Sequence, residues 1–102
     1  MVAGYTKAIA KVIQIKADLC FLGINAIDIE NGLTDNDWEV VQLKKAMVES
    51  SAKVVALAIS EKINTHHRIQ ICELSAIDML ITELPEESDV LKCYKKNGLT
   101  IL

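Results

Sequence analysis

The sequence predicts an α/β domain in which a mainly parallel, open sheet is flanked by helices. Short apolar runs of strand length alternate along the chain with segments whose apolar residues repeat at helical spacing. The runs are nearly continuous, which is typical of parallel strands covered on both faces. Hydrophobic residues make up 51% of the chain but aromatic residues only 4%, so the core is aliphatic. A length of 102 residues fits a single domain over positions 1–102.

The first half of the chain is predicted to form a helix, a strand, a polar loop and a second helix. Residues 5–15 carry one helical stripe, formed by Ala8, Ile9, Val12 and Ile13. The run ADLCFLGI (17–24) predicts a buried strand, and the polar loop follows it. A cap at Thr34, Asp35 or Asn36 is expected to start the second helix, which runs to about Ser51.

The second half continues the alternation of strands and helices. The run KVVALAI (53–59) predicts another buried strand, RIQIC (68–72) a shorter one, and IDMLITEL (77–84) a third strand that Pro85 ends. Residues 86–96 are predicted to be helical, with Gly98 as the carboxyl-terminal cap. A last short strand is expected within residues 99–102.

Charge and composition exclude several classes of partner. The formal charge of −3 gives no electrostatic footprint for nucleic acid. No apolar run is long enough to cross a bilayer and no export signal opens the chain, so we expect a cytoplasmic protein with no membrane partner. Cys20, Cys72 and Cys93 are widely spaced and predict neither a disulfide framework nor a zinc site, and we expect the first two in the core.

The polar loop after the first strand is the candidate ligand site. In open α/β sheets, ligands bind beyond the carboxyl ends of the strands, which is where this loop lies. Glycines at either end permit close ligand approach, and the polar side chains between them can hydrogen-bond polyols. The candidates are Gly23, Asn25, Asp28, Glu30, Gly32 and Thr34. The alternative is an ordinary connection in which the same residues serve turns and caps. We predict no metal site, because the adjacent His66 and His67 point to opposite faces, and no cofactor.

Three segments together resemble the effector-sensing domain of the DeoR family of bacterial sugar-metabolism repressors. They are ADLCFLGINAIDIENGLTD, KKAMVESSAKVVALAISEK and ICELSAIDMLITEL, and they cover nearly the whole chain in order and spacing. The matching positions are Asp18, Phe21, Leu22, Gly23, Gly32, Leu33, Thr34, Lys44, Lys45, Met47, Val48, Val54, Val55, Leu57, Ala58, Lys62, Leu74, Ile77, Asp78, Leu80, Ile81 and Thr82.

The resemblance implies a fold similar to that of ribose-5-phosphate isomerase, with Rossmann-like layers, and a phosphorylated sugar as effector. Lys62 matches the family's Ser-x-Lys lysine and is implied to hold the phosphate; without the resemblance it would be an ordinary solvated lysine. The family's winged helix-turn-helix and the Gly-Thr-Thr turn of the leading part of the sensor are absent here. The resemblance therefore implies a domain that is incomplete at its amino terminus and binds DNA only through the missing part. Because surfaces that the missing segment would cover are then exposed, we also expect a homo-oligomer.

The main alternative is a sugar-phosphate isomerase or a related small enzyme of the same fold. Moving a proton between adjacent sugar carbons needs a positioned carboxylate base. Where the related isomerases have Gly-Ala-Asp-Glu, this chain has Gly23, Ile24, Asn25 and Ala26, so an amide and a methyl replace two acids. We therefore predict no catalytic residue and no enzyme. A third possibility is an interaction module whose loop only stabilises a dimer.

Overall fold

The computed structural model describes residues 3–12 and 14–102. Ile13, which the sequence places on the stripe of the first helix, lies outside them. The helices and strands in chain order are α1 (Ala3–Val12), β1 (Ala17–Gly23), β2 (Ala26–Asp28), β3 (Gly32–Asp35), α2 (Trp38–Glu49), β4 (Ser51–Leu57), β5 (Ile69–Cys72), β6 (Met79–Ile81), α3 (Asp89–Lys96) and β7 (Thr100–Ile101). Two single 3-10 turns, Ser60–Lys62 and Leu74–Ala76, join the later strands.

Four parallel strands form sheet A, in the order β1-β4-β6-β7. This confirms the predicted α/β class and the parallel sheet flanked by helices. Alternate residues of each strand point to one face, and on that face the side chains are buried. The face consists of Cys20, Leu22, Val54, Ala56, Leu80 and Ile101. Helix α2 contacts β1 and β4, and α3 contacts β7.

The prediction of a polar loop after β1 is wrong, because most of that segment folds as a hairpin. Strands β2 and β3 pair antiparallel, and β3 also pairs with β5, which gives a separate sheet B in the order β2-β3-β5. Ala26, Ile27 and Leu33 are fully buried, so the hairpin is anchored by apolar burial. The three-residue connection 29–31 is followed by Gly32, the first residue of β3, whose φ of 70° is the left-handed conformation typical of such hairpins.

The predicted cap of the second helix is also wrong. Asp37 is the N-cap: its backbone is extended, and its Oδ1 accepts from the N–H groups of Glu39 (3.0 Å) and Val40 (3.3 Å). Thr34 and Asp35 belong to β3 and are therefore committed to sheet B. The helix begins at Trp38 and ends at Glu49, directly before β4.

Strand β6 and helix α3 are both shorter than predicted. The strand runs only from Met79 to Ile81, and the Asp78 carboxylate just before it accepts from the Val54 N–H at 2.8 Å. Helix α3 begins at Asp89 rather than at residue 86, after a turn in which the Ser88 N–H donates to the Pro85 carbonyl. Gly98 follows the helix with a φ of 89°, in agreement with its predicted role at the helix end.

The core lies between the buried face of sheet A, sheet B, and helices α2 and α3. Its largest fully buried side chains are Tyr94, Leu22, Ile27, Leu33, Leu80, Leu91 and Val41. Cys20 is part of this core and Cys72 packs against it, as predicted, and burial raises the pKa of the Cys72 thiol to about 11. Within residues 3–12 and 14–102, no helix is long and apolar enough to cross a membrane.

Candidate functional site

Three strands of sheet A end side by side, and the residues after them form one edge of the molecule. Strand β1 ends at Gly23, β4 at Leu57 and β6 at Ile81. Backbone hydrogen bonds continue one residue further, from the Ile24 N–H to Leu57 and from the Ala58 N–H to Ile81, both at 3.0 Å. We call this the carboxyl edge of sheet A. It is the edge at which open α/β sheets bind ligands.

A depression of about 370 Å³ lies at this edge, between the ends of β4 and β6. Most of its lining is apolar, and Thr82 and Glu83 add polar groups. The lining residues are Leu57, Ala58, Ile59, Ile81, Thr82 and Glu83. An apolar floor with a few polar groups at its rim is the usual composition of a small-molecule site.

Lys62 lies at the same edge, at the end of the 3-10 turn that follows β4. The next residue, Ile63, forms a parallel bridge with Ile27 of β2, so Lys62 lies towards Ala26 and Asn25. Among the residues that the structure describes, no carboxylate lies within 4 Å of the Lys62 ammonium group. Within the described part of the chain, Lys62 is thus a cation without a counter-ion, placed where a ligand anion can reach it.

Asn25 and Asp35 form a hydrogen-bonded pair behind the end of β1. Asn25 Nδ2 donates to Asp35 Oδ2 at 2.8 Å, and Asp35 Oδ1 accepts from the N–H groups of Asn36 (2.7 Å) and Asp37 (3.2 Å). Burial alone would raise the pKa of the Asp35 carboxyl, but these hydrogen bonds and the Lys44 charge hold the pKa below its ordinary value. The carboxylate stays ionised and orients the Asn25 amide.

Glu83 and Ser60 join the ends of β6 and β4. Glu83 Oε1 accepts from the Ser60 N–H at 2.8 Å, and Glu83 Oε2 accepts from Ser60 Oγ at 2.7 Å. Thr82 Oγ1 donates to Oε1 at 3.1 Å. The hydrogen bond from the Ser60 side chain is the largest of the effects that lower the pKa of the Glu83 carboxyl.

The Glu83–Ser60 pair was missed in the sequence. Strand 77–84 was predicted to continue through Glu83, whereas β6 ends at Ile81. Thr82 was one of the positions that match the family pattern, but no role was predicted for it. Pro85 indicated that the strand ends before residue 85, but nothing in the sequence indicated that it ends at Ile81.

The remaining predicted site residues are Gly23 in sheet A and four residues of the sheet B hairpin. Gly23 is the last residue of β1, and its carbonyl accepts from Lys44 Nζ at 2.7 Å. Asp28 closes the hairpin turn by accepting from the N–H and Nδ2 of Asn31, and Glu30 is exposed in the same turn. The structure thus brings Gly23, Asn25 and Lys62 to the carboxyl edge and leaves the hairpin turn in the other sheet.

Gly32 and Thr34 are both buried in β3. A Cβ at Gly32 would overlap the Cys72 carbonyl oxygen and lie 2.8 Å from the Leu74 nitrogen. Thr34 Oγ1 accepts from the His67 N–H at 2.8 Å. Both residues therefore have structural partners, and their predicted roles in ligand binding stay predictions.

The chain belongs to the DeoR C terminal sensor domain family. The sequence profile of that family matches residues 4–84, which include β1, the hairpin, α2, β4 and β6. The resemblance seen in the sequence is therefore confirmed. In this sensor domain, the carboxyl edge of sheet A is the place where the ends of β1, β4 and β6 meet.

Curated proteins with similar sequences are named as transcriptional regulators. The HTH-type transcriptional regulator GlpR of Haloferax volcanii is 36% identical over 85 residues, which are 83% of this chain and 33% of that protein. The Glycerol-3-phosphate regulon repressor of Haemophilus influenzae is 36% identical over 74 residues, 72% of this chain and 29% of the repressor. The HTH-type transcriptional repressor GlcR of Bacillus subtilis is 28% identical over 97 residues, 95% of this chain and 37% of that protein. The chain thus spans about a third of the length of these relatives.

Proposed function

We propose that this chain is the effector-sensing part of a cytoplasmic transcriptional repressor of carbohydrate metabolism. Its ligand is a phosphorylated sugar or polyol, bound at the carboxyl edge of sheet A and released unchanged. The observation that carries the proposal is the placement of Lys62, a cation without a counter-ion among the described residues, at the edge that also holds Asn25. The relatives support the class of ligand, since one of them is named for glycerol 3-phosphate.

The chemistry of the edge favours binding over catalysis. An isomerase needs a carboxylate that can take a proton from a sugar carbon. Asn25 is an amide, Asp35 is buried and accepts three hydrogen bonds, and both oxygens of Glu83 accept from Ser60. These groups can orient a polyol but are poorly disposed to act as a base.

Lys62 supplies the charge in this proposal and Asn25 a hydroxyl contact. An ammonium group binds phosphate through charge-assisted hydrogen bonds, which are roughly twice as strong as neutral ones. The amide of Asn25 has its orientation set by Asp35 and keeps its Oδ1 for a ligand hydroxyl. We expect weak affinity from the 102 residues alone, because the phosphate-cradling turn seen in the family is not among them.

DNA recognition is assigned to a segment outside these 102 residues. The net charge of −3 gives the chain as a whole no electrostatic attraction for a phosphate backbone. In the proposed whole protein, a winged helix-turn-helix binds the operator and this domain reports on the effector. The chain alone is expected to show no saturable, sequence-selective shift of DNA in a gel at moderate salt, and such a shift would contradict this assignment.

Calorimetry on ligand pairs tests the proposed function. Glycerol 3-phosphate, ribose 5-phosphate and glucose 6-phosphate are each titrated against their unphosphorylated forms. The wild-type chain should prefer the phosphorylated member, and Lys62→Ala should reduce that preference by at least about tenfold, which is the lower end of the value of one hydrogen bond to a charged group. Lys53→Ala is the matched control, since Lys53 lies on β4 opposite Leu19, away from the carboxyl edge. An unchanged preference in Lys62→Ala would refute the role of Lys62, and turnover of a sugar phosphate would favour the isomerase.

A further inference from the structure

The 3-10 turn that carries Lys62 is held to the neighbouring strand by one carboxylate. Within the turn, the backbone makes short-range hydrogen bonds: the Lys62 N–H donates to Ile59 at 2.9 Å and the Ile63 N–H to Ser60 at 3.2 Å. The turn has no side-chain cap of its own at Ile59. Instead, both oxygens of Glu83 accept from Ser60, the first residue of the turn.

The far side of the turn is held by a second set of contacts. Thr65 Oγ1 donates to the Lys62 carbonyl at 2.6 Å. Asn64 has a φ of 64°, and its Oδ1 accepts from the hydroxyl group of the buried Tyr94 at 2.7 Å. These contacts attach the carboxyl side of the turn to α3, and Glu83 attaches its amino side at Ser60.

We propose that Glu83 is a positioning residue that holds the Ser60–Lys62 turn so that Lys62 meets the phosphate of the ligand. The inference rests on the proposed function of Lys62. Glu83 acts through Ser60 and makes no contact with the phosphate, since a carboxylate repels an anion. Because a turn held at both ends loses less conformational freedom when the ligand binds, the Lys62 contact gains affinity from this attachment.

Two substitutions at Glu83 separate the geometry of the attachment from its charge. Glu83→Ala removes both hydrogen bonds to Ser60. Glu83→Gln keeps a side chain that accepts from the Ser60 N–H and donates to Ser60 Oγ, but it removes the charge. Glu61→Ala is the matched control, because Glu61 is an exposed acid of the same turn. Its removal takes the same charge from the edge and leaves the Glu83–Ser60 pair in place.

Calorimetry with the same ligand pairs gives the first readout. Glu83→Ala should lose the phosphate preference by about the same factor as Lys62→Ala, roughly tenfold. Glu83→Gln and Glu61→Ala should keep most of it. The double variant Lys62→Ala with Glu83→Ala should lose no more of the phosphate preference than Lys62→Ala alone, because both changes remove the same contact between Lys62 and the phosphate. The proposal would be overturned if Glu83→Ala kept the full preference for the phosphorylated ligand. It would also be overturned if the loss in the double variant were the sum of the losses in the two single variants.

Amide hydrogen exchange gives a second readout that needs no ligand. The N–H groups of Ser60 and Lys62 should exchange at least about tenfold faster in Glu83→Ala and near the wild-type rate in Glu83→Gln. Unchanged exchange in Glu83→Ala overturns the positioning role, whatever the calorimetry shows. Faster exchange in a chain that binds none of the phosphorylated compounds would support the attachment and refute the proposed function instead.

Discussion

At the scale of single residues, the Asp35 side chain links the end of β1 to the start of α2. It accepts from Asn25 Nδ2 on one side and from the N–H groups of Asn36 and Asp37 on the other. Asp37 then caps α2. A single buried carboxylate therefore orients Asn25 and shapes the entry to the helix.

The pH dependence of stability should report on Asp35. The pKa of its carboxyl is lowered in the folded state from an ordinary value of 3.8. The unfolded state thus binds the proton more readily than the folded state. The stabilisation that the ionised Asp35 carboxylate contributes is therefore present above about pH 4 and is lost as the pH falls through the folded-state pKa. Asp35→Asn should lower the free energy of unfolding at pH 7 by about 1–3 kcal/mol and flatten its fall below pH 4.

Urea unfolding at several pH values measures this effect. Asp89→Asn is the control, since Asp89 is an exposed residue that pairs with Lys92 at the surface. It should leave both the stability and its pH dependence nearly unchanged. An equally steep loss of stability with acid in wild type and Asp35→Asn would contradict the role given to Asp35.

The contact between Asn25 and Asp35 shows what residue types alone could predict. Asn25 was identified as a polar residue at a strand end, which its position after an apolar run indicates. Its partner stands ten positions away and reaches it only because the intervening segment folds back as a hairpin. The hairpin strands have three and four residues, too short for an alternating pattern to distinguish them from a loop.

At the scale of elements, the close packing of β3 against the segment after β5 depends on Gly32. Its φ of 70° is costly for other residues, and a Cβ there would meet the backbone around Cys72 and Leu74. Gly32→Ala should therefore destabilise the chain by more than about 2 kcal/mol, because left-handed strain and displaced backbone add together.

Two other glycines separate these contributions. Gly98 has a φ of 89° but open space at its Cβ, so Gly98→Ala should cost only the strain, about 1–2 kcal/mol. Gly23 has open space and no left-handed backbone, so Gly23→Ala should stay within about 0.5 kcal/mol. Denaturant unfolding of the three variants ranks them, and a Gly32→Ala chain as stable as Gly23→Ala would refute the packing explanation.

Long apolar runs predicted the elements of sheet A, whereas strand ends were harder to place. β1 and β4 coincide with the runs 17–24 and 53–59 to within two residues. The run 77–84 has apolar residues at five of its eight positions, yet only three of its residues join the ladder. Residue types do not show where the backbone hydrogen bonds between two strands end. For this reason Glu83 was predicted to lie inside a strand rather than at the carboxyl edge.

At the scale of the whole molecule, one flank of sheet A exposes large apolar side chains. β1 is one of the two edge strands of sheet A, and Leu19 and Phe21, on the face opposite Cys20 and Leu22, are 47% and 55% exposed. A groove of about 250 Å³ runs between β1 and the end of α1. Because exposed strands with apolar side chains tend to find partners, we expect a second copy of the chain to bind here.

Sedimentation equilibrium at several concentrations tests this self-association. Wild type should show a mass that rises with concentration, and Phe21→Lys should shift it towards the monomer. Val90→Lys, on α3, changes another exposed apolar residue and should have no such effect. A strictly monomeric, well-folded wild type at high concentration would contradict the prediction.

The most direct test of the central claim is to map the ligand site by NMR. The isotopically labelled chain is titrated with each phosphorylated compound of the calorimetric panel and with its unphosphorylated form. Amide shifts specific to the phosphorylated form should cluster after the ends of β1, β4 and β6, at residues 24–25, 58–62 and 82–83, and the ligand signals should stay unchanged over time. Shifts confined to the groove beside β1, equal shifts with both forms, or conversion of the ligand into a new compound would contradict a phosphosugar sensor at the carboxyl edge of sheet A.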